Sequence, residues 1–128
     1  MVSSSDTKIK VLIIEDDEAV LEMYSQQLVM DGFNIIKAVD GTSGLSKAII
    51  EQPDIILLDI IIPELDGFEV LHRLKSNVKT LNIPVVLLSN LSQPEQIAQG
   101  RLLGAKDYLV KSNVVPSKLV QKIKEFLV

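Results

Sequence analysis

Asp59 stands between two apolar runs, Ile55-Ile56-Leu57-Leu58 before it and Ile60-Ile61-Ile62 after it. An unpaired carboxylate is costly to bury, so this residue must lie at the end of a strand, be paired, or both. Three other short stretches offer matching chemistry. Glu15-Asp16-Asp17 follow the apolar run Ile9 to Ile14, Ser89-Asn90 follow Pro84 to Leu88, and Lys111 follows Tyr108 to Val110. Carboxylates crowded into one place raise one another's pKa unless a cation intervenes. An all-oxygen set with few protein ligands suits Mg²⁺, which keeps several waters and favours sites completed by phosphate oxygens. Acids, a divalent metal, a lysine and a hydroxyl can together stabilise charge on a transferring phosphoryl group, and a carboxylate such as Asp59 can accept that group as an acyl phosphate. No GxxxxGK[ST] loop is present, so a nucleotide bound in such a loop is not the expected donor.

These groups need elements that bring them to one place. Five short runs, Ile9 to Ile14, Phe33 to Val39, Ile55 to Leu58, Pro84 to Leu88 and Tyr108 to Val110, read as strands, several of them apolar without alternation, as strands covered on both faces do. Between them lie stretches with helical spacing: Val20, Tyr24 and Leu28, closed by Gly32; Leu45, Ala48 and Ile49; Phe68, Leu71 and Leu74. A fourth helix is predicted to start at a capping box formed by Ser92 and Glu95 and to reach Gly104, with Gly100 allowing close packing. Pro116 opens the last helix, on which Leu119, Ile123, Phe126 and Leu127 share a face. Strict alternation implies a doubly wound (βα)5 α/β sandwich around a parallel sheet, because parallel strands need crossovers. Such sheets bind ligands outside the carboxyl ends of their strands. Glu15, Asp16, Asp59, Ser89 and Lys111 all fall at those ends.

The composition excludes several alternatives. The 128 residues suit one domain, taken as residues 8–128 after a disordered polar tail at 1–7. With no cysteine and one histidine, His72, neither a disulfide framework nor a thiolate or multi-histidine metal site is available. A formal net charge of −4 with scattered basic residues disfavours direct nucleic-acid binding. The MVSSSDTK start has no apolar signal-peptide core and no apolar run is long enough to span a bilayer, so a soluble cytoplasmic protein is expected.

Taken in order, IIEDDE, PDIILLDIIIPELDGFEVL, VVLLSN and GAKDYLVKS resemble the receiver domain of two-component response regulators, in its chemotaxis-type form. The spacing agrees: Asp59 lies 43 residues after Asp16, and Ser89 and Lys111 lie 30 and 52 residues after Asp59. The resemblance implies a flavodoxin-like fold with strand order 2-1-3-4-5. It makes Asp59 the phosphoacceptor for a phosphohistidine on a histidine kinase or histidine phosphotransfer protein. It also implies Mg²⁺ (or Mn²⁺) held by Asp16, Asp59 and the backbone carbonyl of Ile61, with Glu15 acting through water. Lys111 would hold a phosphoryl oxygen, while Ser89 and Tyr108 would be the switch pair. The fourth helix, fifth strand and fifth helix would then present a face to a downstream protein or to a second copy. Any catalysis is confined to the domain's own phosphoryl transfer and slow hydrolysis.

Two other readings remain on the residues alone: a phosphorylation-independent interaction module on this fold, and a small aspartate-nucleophile phosphatase. The second is disfavoured because Asp59-Ile60-Ile61 lacks the D-x-D pattern of those enzymes. Three departures from the family are visible. Ser112 follows Lys111 where proline is common, so the placement of the lysine needs testing. Ile61 and Leu91, each two residues beyond a site residue, are apolar and would position a hydrolytic water poorly. Asn90 is larger than the residue usual at its position.

Overall fold

The computed structural model describes residues 8–127, so the tail expected at 1–7 lies outside the described residues. The chain alternates β1 (Lys10–Ile14), α1 (Glu18–Met30), β2 (Asn34–Ala38), α2 (Gly41–Glu51), β3 (Ile55–Leu58), α3 (Gly67–Lys75), β4 (Val85–Ser89), α4 (Pro94–Leu102), β5 (Asp107–Val110) and α5 (Pro116–Phe126). A single 3-10 turn, Lys111–Asn113, separates β5 from α5. The five strands form one parallel sheet in the order β2-β1-β3-β4-β5, as expected.

Two hydrophobic layers explain the unalternating strands. Leu12, Ile14, Ile56, Leu58, Val85 and Leu87 join the layer that contains Ala48, Leu71 and Leu74 of α2 and α3. Their neighbours Val11, Ile13, Ile55, Leu57, Val86 and Leu88 join the layer that contains Leu21, Tyr24 and Leu28 of α1 and Leu119 and Ile123 of α5. Successive strand side chains point to opposite faces, and here each face is covered, so every one of these positions is buried.

Local chemistry sets the helix ends. Asp17 caps α1 by accepting from the N–H groups of Ala19 and Val20 at 3.0 and 3.2 Å. Gly32, at φ +90°, lets the chain leave α1 through a left-handed turn. The capping box of α4 is shifted by one residue from the expected pair: the Gln96 side chain, not that of Glu95, reaches back to the N–H of the preceding cap residue, Gln93, at 3.2 Å. Pro94 occupies the first turn of α4, and this places Gln93 rather than Ser92 at the boundary. Ser89 belongs to β4 because it pairs with Val110 of β5.

Gly67 has a specific task beneath Asp59. Its N–H donates to the carbonyl of Ile60 at 2.7 Å, and a Cβ there would lie 2.3 Å from the Asp59 carbonyl oxygen and 2.5 Å from the Ile60 Cα. Both are backbone atoms, so only the loop that carries Asp59 could yield. Gly67→Ala should therefore lower unfolding stability in urea by about 1–3 kcal/mol, whereas Ser46→Ala on the exposed side of α2 should stay within about 0.5 kcal/mol; equal midpoints for the two variants would contradict this packing.

Candidate functional site

The carboxyl ends of β1, β3, β4 and β5 meet in a cleft of about 360 Å³ lined by Glu15, Asp16, Asp17, Asp59, Ile61, Ser89, Asn90, Leu91 and Lys111. Every strand-end residue singled out in the sequence lines it. A larger depression of about 590 Å³, between Ile49–Asp54 and Val78–Pro84, gathers no comparable cluster of acids. His72 is exposed on α3.

Asp59 is 7% exposed and fully engaged. Its backbone N–H donates to the Ile14 carbonyl at 3.0 Å, which continues the β1–β3 ladder one step past the strand. One carboxylate oxygen accepts from the Ile60 N–H at 2.7 Å, and the other accepts from the Lys111 ammonium at 2.9 Å. The same ammonium donates to Glu15, which is 3% exposed and also accepts from the Asp17 N–H at 3.1 Å. Lys111 thus spans 96 residues of sequence to join the ends of β5, β1 and β3. The peptide bonds of the described residues are all trans, including Lys111–Ser112, and in that geometry the lysine reaches both acids.

Burial raises the pKa of Glu15; the Lys111 ammonium and the Asp17 N–H oppose the rise, while nearby Asp59 adds to it. Burial acts on Lys111 in the opposite sense, but its hydrogen bonds and charge interactions with Glu15 and Asp59 outweigh desolvation, and its pKa is raised. Carboxylate oxygens of Glu15, Asp16 and Asp59 all lie within 4.8 Å of one another. Three acids therefore face one lysine. Asp16 is exposed and has no side-chain hydrogen-bond partner among the described residues. A hard divalent cation fits this set, since the donors are all oxygen and the cluster carries more negative charge than Lys111 balances.

Ser89 is buried, and its hydroxyl oxygen accepts from the Leu91 N–H at 3.3 Å. Tyr108 is also buried, and its hydroxyl donates to the Leu91 carbonyl. The two residues expected to act as a pair therefore hold opposite sides of one residue's backbone. Neither the role of Leu91 nor the direct grip of Glu15 on Lys111 was readable in the sequence, because backbone groups carry no residue-type signal and the pairing depends on side-chain direction. The Ile61 side chain, beside Asp59, is 63% exposed.

The charge balance has a pH signature. A folded-state pKa raised above the unfolded value means that Glu15 costs stability as pH rises from its ordinary value of 4.5. The raised pKa of Lys111 contributes stability that is fully present below its ordinary 10.5 and is lost at higher pH. Removing the lysine deprives Glu15 of its main opposing charge and extends its cost to higher pH. Lys111→Met should therefore be less stable than the parent chain by about 3 kcal/mol near neutrality, with the gap shrinking as pH falls toward 4.5. A gap that is constant across this range in urea titrations would contradict the assignment.

The profile of the response regulator receiver domain family matches residues 11–124. The DNA-binding dual master transcriptional regulator RpaA of Synechocystis is 43% identical over 102 residues, which cover 80% of this chain and 42% of that protein. The transcriptional regulatory protein PrrA of Mycobacterium bovis is 38% identical over 121 residues, 94% of this chain and 51% of that protein. The chain thus spans about half or less of the length of these relatives. Among solved structures, chemotaxis protein CheY4 of Vibrio cholerae superposes with a TM-score of 0.86 at 28% identity, covering 92% of this chain and 98% of that one. The receiver domain of Francisella response regulator 1452 gives 0.86 at 28% identity, covering 94% and 97%. With the fold, the strand-end site and these similarities in agreement, the chain belongs to the response regulator receiver domain family.

Proposed function

We propose that Asp59 is the phosphoacceptor of a two-component phosphorylation switch, and that its donor is a phosphohistidine on a histidine kinase or phosphotransfer protein. The observation that carries this reading is the shared Lys111 ammonium between Asp59 and Glu15. In the transfer, a carboxylate oxygen of Asp59 forms a bond to phosphorus as the bond from phosphorus to the histidine nitrogen breaks, and the imidazole leaves with the electron pair. Lys111 then exchanges its hold on Asp59 for a phosphoryl oxygen, which needs only a short movement because the ammonium already touches that carboxylate.

Asp16, Asp59 and the Ile61 carbonyl would hold Mg²⁺ directly, with Glu15 acting through water. Such an ion would supply positive charge to balance the negative charge that develops on the phosphoryl oxygens. A phosphoryl dianion demands donors, and the Ser89 hydroxyl, which lines the same cleft, would supply one. Its departure from the Leu91 N–H would disturb the backbone that Tyr108 also holds. The β4–α4 loop would thereby report the state of Asp59 to the α4–β5–α5 face, where a downstream protein or a second copy would bind. Direct nucleic-acid contact by this domain is not part of the reading, and no helix among the described residues is long and apolar enough to cross a membrane.

The apolar residues Ile61 and Leu91 bear on how long the signal lasts. Both line the cleft, and neither can hydrogen-bond an attacking water through its side chain. Intact mass spectrometry after incubation with acetyl phosphate and Mg²⁺ tests both parts. One phosphoryl adduct is expected, absent in Asp59→Asn and absent after chelation of the metal, and its decay should be faster in Ile61→Asn. An adduct that persists in Asp59→Asn would remove the acceptor assignment, and identical decay in Ile61→Asn would remove the role of the apolar wall.

A further inference from the structure

The loop from Asp59 to Asp66 carries the cleft residue Ile61 and is gripped by backbone contacts on both sides of it. Before Ile61, the Ile60 carbonyl accepts from the Gly67 N–H at 2.7 Å. After it, the Pro63 carbonyl accepts from the N–H of Gly41, the first residue of α2, at 3.1 Å. Residues 61–65 make no other backbone–backbone hydrogen bond among the described residues. A Cβ on Gly41 would lie 2.2 Å from the Leu65 carbonyl oxygen, 2.9 Å from the Leu65 Cβ and 2.9 Å from a Val70 methyl. Gly41 is buried, and it is not one of the glycines with positive φ, which are Gly32 and Gly104. Its backbone would therefore accept alanine. What excludes a side chain is chiefly the loop, because the Val70 methyl can turn away and the Leu65 carbonyl cannot.

Two further observations show that this loop is held in a specific shape. Glu64, between the two residues that touch Gly41, takes φ +71°, a left-handed conformation that costs a non-glycine residue energy and persists where its neighbours enforce it. Ile60 and Ile62 are anchored in the core, whereas Ile61 between them faces the cleft.

We infer that Gly41 is a positioning residue for the divalent metal: its contact with Pro63 and Leu65 sets where the Ile61 carbonyl stands, and through it how tightly the acid cluster holds the ion. The inference rests on reading that carbonyl as a metal ligand, and it adds α2, an element with no residue in the cleft, to the parts that build the site. Mg²⁺ demands near-ideal octahedral geometry, so a displaced ligand is felt as lost affinity. Because Gly67 and the buried Ile60 hold the upstream end, a side chain at position 41 displaces residues 61–65 and leaves Asp59 in place.

Mn²⁺ titrations followed by electron paramagnetic resonance, in which the free ion gives the sharp signal, measure affinity without phosphorylation. The parent chain, Asp16→Asn, Gly41→Ala, Leu65→Ala and Thr80→Val are compared, with a urea midpoint for each. Thr80 is buried in the α3–β4 connection, at the amino ends of the strands, where its hydroxyl donates to the Leu74 carbonyl at 2.7 Å, so its variant lowers stability without touching the loop. Gly41→Ala should raise the Mn²⁺ Kd by about tenfold. Leu65→Ala, which loosens the same contact without adding a clash, should also raise it, and Thr80→Val should leave it unchanged. In labelling with acetyl phosphate, read by intact mass, the half-saturating Mg²⁺ concentration of Gly41→Ala should rise by the same factor, with the rate at saturating Mg²⁺ near the parent value. An unchanged Kd in Gly41→Ala, or in Leu65→Ala should Gly41→Ala not fold, would overturn the inference. So would a labelling rate that excess Mg²⁺ does not restore, or an equal rise of Kd in Thr80→Val, which would make the effect one of stability. The Asp16→Asn variant separates the two readings: Mn²⁺ binding unchanged in it removes the metal site and the inference together, whereas binding lost in it but unchanged in Gly41→Ala removes the role of Gly41 alone.

Discussion

The Lys111 ammonium, shared between Glu15 and Asp59, is the interaction on which the arrangement of the site depends. It joins the ends of three strands, two of them far from Lys111 in sequence. It also compensates two buried carboxylates that would otherwise repel each other. Breaking such a pair from one side leaves charge uncompensated and is costly. The same contact explains the poise of the site. A lysine held by two acids is already beside the atom that would receive a phosphoryl group, and a third acid, Asp16, leaves the cluster short of positive charge.

Everything around that contact serves to hold strand ends in register. The β1–β3 pairing from Val11 to Ile14 against Ile55 to Leu58 brings Glu15 and Asp59 to the same edge. The β3–β4 and β4–β5 pairings do the same for Ser89 and Lys111. A glycine is required beneath Asp59, where a Cβ on Gly67 would meet backbone, and Gly100 lets α4 pack closely on Leu87 within β4, where a Cβ would come within 2.5 Å of a side-chain methyl. Gly100 also lies against the Tyr108 ring, so the helix of the proposed output face packs directly on the proposed switch residue.

Much of this was legible in the sequence because parallel strands buried on both faces read as unbroken apolar runs, and polar residues that end such runs stand out. Asp59, Glu15, Asp16, Ser89 and Lys111 were visible for that reason, and the order of elements was enough to predict a parallel sheet. The exact cap of α4 was not, since Ser92–Glu95 and Gln93–Gln96 are both plausible pairs and only the position of Pro94 on the helix decides between them. Sequence also placed Glu15 near a metal without showing that it grips Lys111, a matter of side-chain direction. The shared hold of Ser89 and Tyr108 on Leu91 runs through backbone atoms and leaves no trace in residue type. Ser112 stands where proline is common after the lysine, and with a trans peptide at that bond the Lys111 ammonium contacts both acids.

The central claim is that Lys111 is stored on Glu15 and Asp59 for delivery to a group bound on Asp59. A crystal structure of the domain with Mg²⁺ and beryllofluoride tests it most directly, since the fluoride mimics a phosphoryl group on the carboxylate. The account predicts beryllium on Asp59, the Lys111 ammonium in contact with a fluorine atom, and the Ser89 hydroxyl turned from the Leu91 N–H toward the ligand. Beryllofluoride bound on Asp59 with Lys111 still shared between the two carboxylates, or bound at a different residue, would contradict it.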